Sequence, residues 1–110
     1  APRLEARLEP YVSEAVRAHT SFLERFDHEG KPPLKVDEES QTAYITSRMQ
    51  LARACGKRSE VGRLREALRE YERIDAYLTH NEVKGMEQEH RMCREMLELL
   101  PRRIYDVNAR

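Results

Sequence analysis

The sequence predicts an all-α fold, two stacked antiparallel helix hairpins forming a tetratricopeptide-like α-solenoid end, and three observations predict it. Apolar residues recur with a period near 3.6 in four separate stretches, each bounded by Gly, Pro or Asn, which is the pattern of helices with one buried face. The 110 residues include only four Gly and five Pro, too few turn formers for a small sandwich or barrel. Charged residues make up 36% and mean hydropathy is -0.86, which suits helices with polar outer faces. A chain of this length has no room for a second core of useful size, so residues 1–110 are expected to be a single helical domain.

The first helix is expected over about residues 3–27. Leu4, Leu8, Tyr11, Val12, Ala15, Val16, His19, Phe22, Leu23 and Phe26 follow alternating steps of three and four and so share one stripe. Pro10 has no N–H and crowds the preceding turn, so it either starts the main helix at residues 11–26 or kinks a longer one. Residues 28–36 read H-E-G-K-P-P-L-K-V, incompatible with a helix interior and suited to an extended connector.

Asp37 then offers a side-chain acceptor to the free N–H groups of a second helix, and Glu38 and Glu39 sit at its positive end. This helix is expected over 38–55, with Tyr44, Ile45, Leu51, Ala52 and Cys55 inward, Met49 to one side and Gly56 supplying the left-handed turn that ends it. The third, over 60–79, is capped by Ser59 and carries Val61, Leu64, Ala67, Leu68, Tyr71, Ile74 and Leu78, with Asp75 at the edge of the stripe. Glu66 and Glu70 with Arg63, Arg69 and Arg73 form ion pairs on its outer face, each worth about 0.2–0.5 kcal/mol. The fourth, over 83–100, presents Val83, Met86, His90, Cys93, Met96, Leu97, Leu99 and Leu100, and Pro101 stops or kinks it. A short tail, 102–110, packs Ile104, Tyr105 and Val107 back on the body. The interior should hold Val12, Phe22, Phe26, Tyr44, Ile45, Leu51, Leu64, Leu68, Tyr71, Leu97 and Leu100.

Charge balance excludes several function classes. Twenty Lys and Arg oppose twenty Asp and Glu, so the polyelectrolyte imbalance behind sequence-blind nucleic-acid binding is missing and no nucleic-acid partner is expected. No uncharged run approaches the ~20 apolar residues of a membrane span, and the amino terminus lacks the apolar core of a signal peptide, so a soluble chain with no membrane partner is expected. Cys55 and Cys93 cannot build a disulfide framework, and reduced thiols in a cytoplasmic setting are the simpler account.

No catalytic constellation rises above background, and no enzyme, metal or cofactor is expected. His90 and Cys93 lie three apart on one face, but Cys55 and His80 come from other segments without the paired spacing of a zinc site. Cys93 has no orienting acid or oxyanion loop nearby in sequence. Glu87, Glu89, Glu95 and Glu98 offer one Glu-x-x-His instance with no mate, so they read as a solvated face. Glycines 30, 56, 62 and 85 are too scattered for a phosphate loop. Met86 and Met96 fall on the apolar stripe, whereas Met92 lies off it and is expected to be exposed.

The second and third helices carry a loose tetratricopeptide-like trace: Leu51, Ala52 and Cys55, then Ala67, Tyr71 and Ile74. One such unit cannot bury its own face, so the chain is expected to be the terminal cap of a longer solenoid. In addition, the run 48–57, R-M-Q-L-A-R-A-C-G-K, then L-R-E-A-L-R-E-Y at 64–71, then M-C-R-E-M-L-E-L-L-P at 92–101 resembles, in order and spacing, the carboxy-terminal part of the KIF-binding protein family. The resemblance covers about residues 44–104, with weaker agreement over 11–26 around Phe22 and Phe26. It implies a tetratricopeptide-like helical solenoid that binds kinesin motor domains and blocks their attachment to microtubules. A non-enzymatic, cytoskeleton-associated interaction module follows from it, with a kinesin motor domain or another cytoskeletal protein as partner.

On that reading the second helix lines a groove, and helical phase places Thr46, Gln50 and Arg53 on its non-core face. The basic residues Arg48, Arg53, Lys57, Arg58, Arg63 and Arg65 cluster around the turn that follows it, where an acidic surface on the partner suits them. The candidate partner-binding residues are therefore Thr46, Gln50, Arg53, Lys57 and Arg58. The competing expectation is a structural helical subunit that caps a larger cytoskeletal assembly, signalled by an exposed apolar stripe on the first helix.

Overall fold

Each of the four apolar periods forms a helix. The computed structural model describes residues 2–27 and 37–109. In order they form α1 (Pro2–Glu24), α2 (Glu38–Gly56), α3 (Val61–His80) and α4 (Glu87–Asn108), with no strand among the described residues. Each helix packs on the next in sequence. The pairing is antiparallel: Cys55 meets Glu66 while Arg48, earlier in α2, meets Glu70, later in α3. Side chains also reach past the nearest neighbour, as Arg63 of α3 does to Glu9 of α1 and Cys93 of α4 to Met49 of α2. The expected connector, 28–36, lies outside the described residues.

The core runs through the middle of the array. Tyr44, Ile45, Met49, Ala52 and Cys55 of α2 meet Leu64, Ala67, Tyr71, Ile74 and Tyr77 of α3, and Cys93 and Leu100 close it from α4. Phe22 and Phe26 pack partly buried against its α1 side, in an aromatic chain that passes from Phe22 to Phe26 at 5.1 Å, to Tyr44 at 6.1 Å and to Tyr77 at 5.2 Å between ring centroids. Val12 is half-buried and lies outside this cluster, contrary to its expected place in the interior. α2 buries a broad face that includes the polar Ser47 and Arg48, and leaves Ala43, Thr46, Gln50 and Arg53 exposed along the opposite one.

Several boundaries differ from the sequence reading for identifiable reasons. Asp37 caps α2 as expected, its Oδ1 accepting from the Ser40 N–H at 2.8 Å. The α3 cap position is Glu60 rather than Ser59, and the Glu60 side chain makes no cap bond. Gly56 ends α2 from inside the helix, and the residue after it is right-handed. Among the described residues the glycine that uses its freedom is Gly85, at φ 79°. That backbone is incompatible with a right-handed helix, so α4 starts at Glu87 and not at 83, and Val83 is buried from a non-helical segment.

Prolines interrupt neither terminal helix. Pro10 and Pro101 both lie inside helices and both are exposed, so their missing N–H groups and ring clashes fall on the solvent side. The segment after Pro101 is therefore the last two turns of α4 and not a tail. Ile104 and Val107 hold it there by packing partly buried against the core.

Candidate functional site

The most buried cation, Arg48, organises the molecule rather than its surface. It is 2% exposed, at the i+4 position from Tyr44 on the inward face of α2. Its Nε donates to the Tyr44 hydroxyl at 2.8 Å, Nη1 to Glu70 at 2.5 Å, and Nη2 to Asp27. Tyr44 in turn donates to Asp27 at 3.1 Å, and Arg73 reaches Glu70 from outside at 3.3 Å. Burial works against the charged guanidinium, but Glu70 and the Tyr44 hydroxyl outweigh it and its pKa is raised. The Tyr44 phenol is pushed up to about 12 by burial. Glu70 thus leaves the outer ion-pair face predicted for it and Arg48 the basic cluster predicted at the turn, and with Asp27 they tie the end of the α1 segment to α2 and α3.

Of the cations around the α2–α3 turn, Arg58 also turns inward. It is 5% exposed and pairs with Glu9 at 3.1 Å and Glu60 at 2.9 Å. Arg63 bridges Glu9 at 2.7 Å and Glu66 at 3.1 Å. The Arg63 guanidinium, followed by the Ser13 hydroxyl, holds the Glu9 carboxyl below its usual range. Arg53 and Lys57 remain exposed.

Two concave faces hold the remaining candidates. Thr46 and Gln50 line a shallow groove of about 740 Å³ between α1 and α2, walled by Ala18, Phe22 and Ala43. Across its floor His19 Nδ1 meets the Ser47 hydroxyl at 2.9 Å. Arg53 and Lys57 lie instead at a cleft of about 660 Å³ between the end of α2 and α4. Its floor is Leu64, Tyr71, Met92 and Met96, and Arg103 closes the α4 side by donating to the Gly56 carbonyl at 3.2 Å. The five predicted residues are therefore not one site. Thr46 and Gln50 face one groove, Arg53 and Lys57 edge another, and Arg58, though it lines the second, is committed to internal ion pairs.

Arg103 and Met96 had no place in the predicted site; Met96 lies in the helix as predicted, and Arg103 reaches the cleft because α4 continues past Pro101. The signal was present: Leu97, Leu100, Ile104 and Val107 keep steps of three and four straight through Pro101. Met92, expected to be exposed, is half-buried against the core beside Arg53, whose Nη2 lies 3.3 Å from its sulfur.

Both cysteines are buried. Burial, followed by the nearby Glu66 charge, pushes the Cys55 thiol up to about 12, and burial with Asp75 does the same for Cys93. Cys93 donates to the Met49 sulfur at 3.5 Å, and His90 pairs with Asp75 at 2.7 Å rather than with Cys93. Among the described residues no group of three or more His, Cys, Asp and Glu is placed to hold a metal ion. No helix is long and apolar enough to cross a membrane, among the residues described.

The family model described as KIF-1 binding protein C terminal matches residues 2–107. No curated protein and no solved structure gives a significant match.

Proposed function

This chain belongs to the KIF-1 binding protein C-terminal family, and on that premise we propose that it is a non-enzymatic interaction module that engages kinesin motor domains and regulates their attachment to microtubules. Family membership over nearly the whole chain is the observation that carries this reading. The geometry supports it. Four helices stacked in sequence order present two concave faces of 740 and 660 Å³, large enough for side chains of a protein partner, and the two thiols are protonated and buried. We assign partner contact to Thr46 and Gln50 on the first face and to Arg53 and Lys57 on the second, with Arg58 acting from beneath through its ion pairs. A tetratricopeptide-like stack, a cytoplasmic and cytoskeleton-associated setting, and the lack of a nucleic-acid partner belong to the same proposal.

The test is calorimetric titration of the chain against purified kinesin motor domains, followed by co-sedimentation of those motors with microtubules at saturating chain. Binding of a motor together with a smaller pelleted fraction supports the reading. Motors that neither bind nor change their sedimentation overturn it.

One observation favours a second reading, a helical cap that packs into a larger assembly. Tyr11 is 72% exposed and Leu8 43%, so these two positions of the α1 stripe face outward. Under that reading Tyr11→Ser lowers the association of the chain with itself or with a longer helical partner in light scattering, and motor binding is absent.

A further inference from the structure

We propose that the cleft between the end of α2 and α4 receives a short acidic peptide segment anchored by one large apolar side chain. This rests on the reading of the chain as a partner-binding module and names the chemistry of the partner at one of its two faces. The floor is apolar and adaptable: Leu64 and Tyr71 are buried, while Met92 and Met96 are half-buried and unbranched enough to repack around an incoming side chain. The edge is cationic. Arg53, Lys57 and Arg103 stand at it from α2, the turn and α4, and none has an ion pair to a described carboxylate. The only acid at the edge among the described lining residues is Asp106.

The chain has a net charge of zero, and at the same turn Arg58 and Arg63 are already paired with Glu9, Glu60 and Glu66, whereas the cations at the cleft edge are not. Three unneutralised cations on three separate elements call for several carboxylates spaced along one ligand, which a peptide supplies and a single small acid does not. The volume of about 660 Å³ exceeds what one carboxylate needs and suits an apolar anchor seated between the charges. Arg103 is already oriented by the Gly56 carbonyl, so its free N–H groups are held toward the cleft at little further entropic cost.

The test is an amide chemical-shift titration and a fluorescence-anisotropy titration of the chain with three pools of labelled twelve-residue peptides. The first pool places Asp and Glu around one Leu or Phe, the second replaces the acids by Lys, and the third keeps the acids and replaces the apolar residue by Ser. The expected result is shifts confined to residues 53–71 and 92–107 with the first pool only. Affinity falls about tenfold or more in the double variant Arg53→Glu, Lys57→Glu, whose exposed positions leave the core untouched. Equal binding of the first and third pools, equal binding of the first and second, shifts centred on the α1–α2 groove, or no binding into the millimolar range each overturn the inference. Motor titrations run in parallel separate the two proposals. Peptide binding without motor binding defeats the motor reading alone, and motor binding unaffected by Arg53→Glu, Lys57→Glu and by excess peptide defeats this one alone.

Discussion

Arg48 of α2 and Glu70 of α3 form an ion pair 2.5 Å long inside the molecule, with the Arg48 side chain 2% exposed and the Glu70 side chain 12%. A guanidinium so placed is tolerable only because three partners share it. Asp27 and Glu70 supply opposite charge and the Tyr44 hydroxyl takes the remaining edge. Substitution of Arg48 by Ala removes the cation that Asp27 and Glu70 share, leaving Glu70 only the outer Arg73, and we expect a loss of about 3–5 kcal/mol in urea unfolding. Glu70→Gln keeps Asp27 as counter-charge and should cost less, about 1–3 kcal/mol. Equal costs for the two variants would show that Asp27 does not share the load.

Alkaline stability reports on the buried thiols and phenol. Unfolded Cys and Tyr ionise near their ordinary values of 9.0 and 10.0, whereas Cys55, Cys93 and Tyr44 hold their protons to about 12 in the fold. Between those limits the native state binds more protons than the unfolded one, so stability is full below pH about 9 and falls as pH rises toward 12. The double variant Cys55→Ala, Cys93→Ala should flatten that fall in denaturant titrations from pH 8 to 11. A disulfide-exchange reagent at pH 8 should label both thiols at least about tenfold faster in urea than in the native state.

Asp37 satisfies the start of α2 with two contacts to Ser40, through the backbone N–H at 2.8 Å and the hydroxyl at 3.1 Å. The Ser40 backbone N–H, followed by its hydroxyl, lowers the Asp37 pKa, so the contribution is present above the ordinary carboxylate range and lost on acidification. Asp37→Ala should lower the melting temperature and Asp37→Asn should lower it less, read by thermal unfolding at pH 7.

Two glycines separate backbone need from packing need. Gly85 sits at φ 79°, and a Cβ there would meet no atom within 4 Å, so Gly85→Ala should lose about 1 kcal/mol from backbone strain alone. A Cβ on Gly56 would meet the Ala67 Cβ at 3.7 Å and the Met96 Cε at 4.0 Å, ordinary contacts in a helix. Gly56→Ala should therefore be neutral or gain up to about 1 kcal/mol. Thermal unfolding of the two variants side by side decides it.

Helical identity was legible at the level of residues because it is local. The steps of three and four in Leu64, Ala67, Leu68, Tyr71 and Ile74 place one face inward whatever lies opposite, and Asp37 before Glu38 and Glu39 marks a start by chemistry confined to one turn. The reading failed where a local rule met a tertiary competitor. Pro101 breaks an isolated helix, yet α4 continues because Ile104 and Val107 pack on the core and its ring faces solvent.

The candidate site was legible only in fragments. Arg53 and Lys57 were identified from charge near the turn, but their neighbours in space, Met96 and Arg103, come from a helix forty residues on. Thr46 and Gln50 share a helix with Arg53 and still face a different groove, because α1 covers one side of α2 and α4 another.

By itself the sequence determined the helical class, the helix order and most of the inward apolar positions, since periodicity and capping act over a few residues. Which cations face a partner was decided only by tertiary structure. Arg48, Arg53 and Arg58 stand five residues apart in sequence and carry the same charge. Arg48 and Arg58 are buried because Asp27, Glu70, Glu9 and Glu60 from three other segments converge on them, while no carboxylate among the described residues reaches Arg53. The desolvation of a guanidinium is offset only where such partners meet it, and where they meet is a property of the packed helices, not of the chain around each arginine.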